Sequence, residues 1–146
     1  MGLTSFAESS WSGDLATGSG SIDYVSSGAF TRMPVSWLAR TQEHKGKTSP
    51  EELLAAAHAS CFSMAFAARL GKNGTPPQRM DVRAEVTFDQ KDGGWAVTKS
   101  SLTVRVAAEG LDEAKLQELA TDARDNCPIS QALKGNVDLE VHASFA

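Results

Sequence analysis

The longest apolar stretch in the chain runs from Leu53 to Leu70, L-L-A-A-A-H-A-S-C-F-S-M-A-F-A-A-R-L, with His58 and Arg69 as its only ionisable side chains apart from Cys61. Just before it stands Ser49-Pro50-Glu51-Glu52, a serine placed to cap a helix, a proline at the first helical position and a glutamate three residues after the cap, which together read as a complete capping box. The pattern predicts one long helix that is apolar on nearly every face, and such a helix is read as buried. A helix of some twenty residues is about 30 Å long, more than a chain of this size encloses alone, so a second copy is expected to help cover it.

The flanking segments alternate instead. Ahead of the helix, Phe6, Trp11, Ile22, Tyr24 and Phe30 lie among Gly, Ser and Thr, with turn signals at Ser12-Gly13-Asp14, Gly18-Ser19-Gly20 and Ser27-Gly28. They predict an antiparallel meander, followed by a polar loop from Arg40 to Ser49. After a loop at Gly71 to Gln78, Val82, Ala84, Val86 and Phe88 alternate up to Asp92-Gly93-Gly94, and Ala96, Thr98, Leu102, Val104 and Val106 continue beyond it. This is a β-hairpin signal. Leu111, Ala114, Leu116, Leu119, Ala120 and Ala123 recur at helical spacing, Pro128 to Lys134 reads as a short further helix, and Val137, Leu139, Val141 and Ala143 as a last strand. The expected order is β-β-β-α-β-β-α-α-β, an α+β fold of antiparallel strands around a long central helix, in one domain over residues 1–146.

Charge narrows the partners. The formal net charge of -4 leaves no broad basic footprint for nucleic acid, and no basic run adjoins an amphipathic helix, so neither nucleic acid nor membrane is expected as a partner. The apolar helix is long enough to raise the question of a bilayer span, but its small residues with His58 and Arg69 favour the core of a soluble protein. No targeting segment is evident at the N-terminus, and the expected compartment is the cytoplasm.

The candidate chemistry is sulfur. Cys61 and Cys127 are 66 positions apart, a spacing of neither a zinc finger nor a C-x-x-C motif. In a reducing compartment they are either two buried hydrophobes or a transient redox couple. Cys61 lies about three turns into the long helix, beyond reach of the helix dipole, and burial there raises a thiol's pKa. A reactive thiolate at that position needs a cation from elsewhere, with Arg40 and Arg32 as candidates and Glu51 as the acid that would hold it, unless Glu51 only favours the start of its helix. His58, one turn before Cys61, allows a Cys-His acyl-transfer or hydrolase reading, or a packed, hydrogen-bonded histidine, which is favoured. Cys127 precedes Pro128 and is expected at the N-cap of the short helix, where free N–H groups favour a leaving thiolate. By local electrostatics alone Cys127 rather than Cys61 would be the attacking thiol. A noncatalytic binding module with inert cysteines is the third reading.

The segments T-S-P-E-E-L-L-A-A-A-H-A-S-C-F-S-M-A, Thr48 to Ala65, and N-C-P-I-S-Q-A-L-K, Asn126 to Lys134, resemble the OsmC/Ohr peroxidases, and the A-A-H-A-S-C-F form is closer to the OsmC branch. The resemblance implies an intertwined homodimer and a stress-defence role. It implies that Cys61 is the peroxidatic thiol, that Cys127 resolves it as a disulfide, and that Glu51 with an arginine, Arg40 first and Arg32 as fallback, activates the site. It further implies organic hydroperoxides as substrates, no bound cofactor, and recycling by an external dithiol or lipoylated protein. Phe62, Met64 and Phe66 are expected to make the surroundings of Cys61 apolar. Glu51 and Cys61, ten positions apart on one helix, are separated by about 15 Å along the axis and about 80° around it. An arginine's reach could bridge part of that gap within one chain, but a two-fold pair of such helices would bring Glu51 of one chain toward Cys61 of the other, and the site is expected to be shared between two subunits.

Overall fold

A computed structural model describes residues 1–146. In chain order the elements are β1 (Ala7–Ser12), β2 (Ser19–Val25), β3 (Thr31–Val35), α1 (Trp37–Thr41), α2 (Pro50–Lys72), β4 (Arg79–Lys91), β5 (Gly94–Ala107), α3 (Glu113–Asn126), α4 (Pro128–Leu133) and β6 (Asp138–Phe145). The chain divides into two compact units, Met1–Leu53 and Leu54–Ala146.

In the first unit β1, β2 and β3 form an antiparallel sheet in that order. The predicted turn at Gly18-Ser19-Gly20 lies largely within β2. Gly20 faces Trp11 across the ladder, and a Cβ there would meet the indole at 2.5 Å and Val35 at 3.0 Å. Glycine at this position therefore makes room for tryptophan rather than turning the chain. The polar stretch read as a loop from Arg40 begins inside a helix instead. Ser36 caps α1 by accepting the Ala39 N–H at 3.1 Å, and Arg40 falls in its last turn. Five residues offer too little periodicity to announce a helix.

The start of α2 follows its cap signal. Ser49 Oγ accepts the Glu52 N–H at 3.1 Å. The Glu52 carboxylate accepts from the Thr48 hydroxyl at 2.8 Å, so its partner is the residue before the cap instead of the cap's own N–H that the capping box predicts.

The second unit is a three-stranded sheet in the order β4-β5-β6. β4 and β5 form the expected hairpin, closed by Asp92 and Gly93 with φ of 52° and 82°, the doubly positive pair that a type I′ turn requires. The antiparallel expectation ends at β6, which runs parallel to β5 from Lys99↔Asp138 to Val106↔Phe145. Parallel neighbours need a crossover, and α3 and α4 supply it. The core joins Phe62, Phe66 and Leu70 of α2 to Leu102, Val104 and Val106 of β5 and to Leu116, Ala120 and Ala123 of α3. Burying each large side chain in that set contributes about 1.5–3 kcal/mol.

α2 departs from the expectation that it is buried all round. His58, Phe62, Phe66 and Leu70, spaced by four, are fully buried, and Ala56, Ser60, Met64 and Ala68 on another side are exposed. By length and composition alone the helix also meets the requirement for a membrane span. Its buried stripe instead packs on β5 and α3, and apolar composition over-read burial because alanine and serine score with the core while lying on an open side.

Candidate active site

One pair of expected residues meets in the first unit. Arg40 on α1 and Glu51 in the first turn of α2 form an ion pair, with Nη2 to Oε1 at 2.7 Å and Nε to both carboxylate oxygens at 3.2 Å. The Glu51 side chain is 8% exposed and that of Arg40 30%. The guanidinium also stacks 5.7 Å from the centre of the Trp37 ring, three residues earlier on α1. A planar fork held on both oxygens is oriented as well as charged. Arg32, the fallback, is exposed on β3 with a φ of 55°. Beside Arg40 lies a cleft of about 330 Å³ walled by Trp11, Leu15, Val35, Trp37 and Pro50.

The two cysteines meet in the second unit. Both are free thiols, Cys61 half-buried on α2 and Cys127 fully buried. Burial pushes the Cys61 thiol up, the Ile129 N–H pulls it the other way, and the neighbouring Cys127 adds to the rise. No cation is among the groups that act on it. Burial and the neighbouring Cys127 therefore favour the thiol form of Cys61. Cys127 ends α3 and caps α4, with φ -66° and ψ 141°. Its sulfur accepts the Ser130 N–H at 3.3 Å and lies 3.0 Å from Ser130 Oγ. The extended backbone that Pro128 imposes on its predecessor is what turns the sulfur back over the first turn of α4.

His58 completes this cluster. Its Nδ1 lies 2.6 Å from Ser100 Oγ on β5 and its Nε2 2.8 Å from Ser130 Oγ on α4. Burial holds the ring below the usual histidine range, hence neutral. Both ring nitrogens are engaged by hydroxyls, so the packed, hydrogen-bonded reading of His58 describes it, and the Cys61-His58 pair that an acyl-transfer enzyme needs is not formed.

The sequence profile of the OsmC-like protein family matches residues 42–142, a span that includes Glu51, His58, Cys61, Cys127 and Ser130. The chain belongs to the OsmC family. It is 39% identical over 130 residues to the peroxiredoxin OsmC of Escherichia coli K12, covering 89% of this chain and 90% of the relative. It is 34% identical over 102 residues to the organic hydroperoxide resistance protein OhrB of Bacillus subtilis, covering 68% and 72%. The crystal structure of that OhrB superposes with a TM-score of 0.73 at 26% identity, over 95% of this chain and 98% of the other. The α+β architecture is thus that of OsmC and Ohr proteins.

Several features of this OsmC-family chain were not read from its sequence. Trp37 stands three residues before Arg40 and so shares its side of α1, a spacing that would have singled it out had the helix been recognised. Ser130, three residues after the capping Cys127, occupies the position whose N–H a cap receives, and C-P-x-S carries that signal. Ser100 had none. Phe62 and Phe66 do not surround Cys61 with an open apolar pocket, because both are buried in the core, and Met64 is 69% exposed.

Proposed function

We propose that the protein is a cysteine-based peroxidase that reduces organic hydroperoxides to alcohols, with Cys61 as the attacking thiol and Cys127 as the resolving one. The observation that carries this reading is the direct interaction of two free cysteines that lie 66 positions apart in sequence. Two inert core cysteines have no need to meet, whereas a transient disulfide does. The names of the relatives, a peroxiredoxin and organic hydroperoxide resistance proteins, agree with it.

The chemistry follows from the residues. The Cys61 thiolate attacks the terminal oxygen of ROOH, the O–O bond breaks, the alkoxide leaves and takes a proton, and Cys61 becomes a sulfenic acid. Cys127 displaces hydroxide from that sulfur to form the disulfide and water. An external dithiol, such as a lipoyl group, returns two electrons and two protons, so the protein itself needs no cofactor, and the cytoplasm is the compartment where such a reductant is maintained. To test it, one equivalent of cumene hydroperoxide is added to the reduced chain and the product examined by thiol titration and mass spectrometry. The expected product has no free thiol and an intramolecular Cys61-Cys127 bond. Two remaining thiols, or only interchain disulfides, would sink the mechanism.

The cation that would hold Cys61 as a thiolate comes, in this proposal, from a second copy. The Arg40-Glu51 pair of one subunit serves Cys61 of the other, in a homodimer with two shared sites. The open side of α2 supplies the surface for it. Refolding Cys61→Ser chains together with Glu51→Ala chains places both changes in one site of each hybrid and leaves the other intact, so activity returns. A mixture that stays inactive although hybrid dimers have formed requires both parts of the site to come from one chain.

A further inference from the structure

The peroxidase reading uses Cys61, Cys127, Arg40 and Glu51 but leaves unexplained a buried chain of polar side chains that ends on the resolving sulfur. Ser100 Oγ, His58 Nδ1, His58 Nε2, Ser130 Oγ and Cys127 Sγ follow one another at 2.6, 2.8 and 3.0 Å across the two sides of the ring. All four residues are fully buried. Placing an imidazole and two hydroxyls in a core otherwise built of Phe, Leu and Val costs desolvation that hydrophobic side chains of the same volume would not incur. The cost is met only because every member has a partner, and no buried side-chain polar atom lacks one.

We propose that Ser130 and His58 form a proton relay for Cys127, taking up its proton when it closes the disulfide and returning it when the disulfide is reduced. The inference rests on the two-cysteine reading above and assigns its second step. The tautomer that serves has Nδ1–H donating to Ser100 and Nε2 accepting from the Ser130 hydroxyl. Cys127 then passes its proton to Ser130 Oγ while Ser130 passes its own to Nε2. The thiolate attacks the Cys61 sulfenic acid, the S–S bond forms, the S–O bond breaks, and the hydroxide departs from half-buried Cys61 as water after collecting a proton from solvent, while the imidazolium keeps the Cys127 proton until reduction. On reduction, the incoming dithiol supplies the two electrons, and Cys127 leaves as a thiolate that is reprotonated through Ser130. Water has little access to a fully buried sulfur, so a relay through protein groups is the available route. Burial keeps His58 neutral and thus open at one nitrogen. The Ser130 N–H, which donates to Cys127 Sγ at 3.3 Å, supports the negative sulfur while the proton is away. His58 and Ser130 are in this sense positioning residues: they act on the reaction through Cys127.

The test separates the two steps in the full-length protein. With one equivalent of cumene hydroperoxide, rapid-quench mass spectrometry follows loss of the Cys61 thiol and, separately, appearance of the disulfide. In Ser130→Ala and His58→Gln, Cys61 oxidation should stay within roughly threefold of the parent while disulfide closure slows at least tenfold, the low end of what a positioned proton acceptor contributes. Ser130→Thr keeps the hydroxyl and should close at close to the parental rate. Closure in the parent should also slow in D2O, with a smaller effect in His58→Gln. Closure as fast as the parent in both variants overturns the relay, as does a proportional slowing of both steps, which marks a purely structural role. If neither variant folds, a parental closure rate that is indifferent to D2O overturns it. Failure of the parent itself to form any Cys61-Cys127 bond removes the two-cysteine reading and the relay with it, and is recognised by that result alone.

Discussion

The two sides of α2 are both mostly apolar in sequence and have opposite surroundings. His58, Phe62, Phe66 and Leu70 face the sheet and α3 and are fully buried, whereas Ala56, Ser60, Met64 and Ala68 face outward. What separates them is side-chain volume. The inward stripe fills space, and the outward one, Met64 apart, is small enough for another backbone to approach closely. Cys61 lies between the two, half-buried, with Cys127 beside it. In the proposed peroxidase the open side is covered by a second copy, and the attacking thiol sits at the seam.

The largest expected effect is at that seam. Cys61→Ser should remove peroxide consumption altogether, and Cys127→Ser should allow one oxidation per chain before stalling or over-oxidising. Ser60→Ala, one residue away on the outward stripe, should leave turnover as it was. A ferrous-xylenol assay of residual hydroperoxide reads all three, and loss of the first oxidation in Cys127→Ser would mean that the two thiols have exchanged roles.

The inward stripe should answer in stability. Phe66→Ala removes a fully buried ring that lies tilted against Phe62 with centroids 5.5 Å apart, and urea denaturation should show a loss of about 3–5 kcal/mol. Met64→Ala on the outward stripe should cost the isolated chain less than about 0.5 kcal/mol. Equal losses at the two positions would mean that the open side is already covered within the chain.

The outward stripe should answer in association. Met64→Lys introduces a charge where the shared site requires a second copy, and sedimentation should show homodimer dissociation strengthened by at least tenfold, about 1.4 kcal/mol. A parent chain that stays monomeric at every concentration at which it turns over would remove the shared site.

The same contrast explains what could be read from the sequence. The hairpin at Asp92-Gly93, the start of α2 at Ser49-Pro50 and the cap at Cys127-Pro128 were legible because each is decided by a few adjacent residues. The parallel course of β6 was not, because alternation fixes which side a residue faces but not the strand's direction, which the α3-α4 crossover sets. The open side of α2 was misread because burial depends on neighbours rather than on composition. The Arg40-Glu51 pair could be named from two residue types and an expected need, but its bidentate geometry depends on α1, a helix too short to leave a periodic signal. Ser100 and Ser130 lie 42 and 72 positions from His58, and nothing local announces such contacts.

The smallest effect returns to the inward stripe and its one titratable member outside the cysteines. Burial depresses the pKa of His58 in the folded chain below its ordinary value near 6.5. The unfolded chain therefore binds a proton that the folded chain refuses at mildly acid pH. Above the unfolded value neither state is protonated at this ring and it adds no pH dependence. As pH falls below it, the unfolded state gains the proton first, and folding stability declines until the folded value is reached. The decline attributable to His58 cannot exceed about 1.4 kcal/mol between neutral pH and pH 5.5. His58→Gln keeps a polar side chain that can still bond one of the two serines, and it removes the titration. In urea denaturation from pH 7.5 to pH 5.5 the parent should therefore lose stability relative to the variant as pH falls, whatever their separation at neutrality. Parallel curves would mean that His58 takes up its proton as readily in the folded chain as in the unfolded one, and the neutral ring between Ser100 and Ser130 would have to be given up.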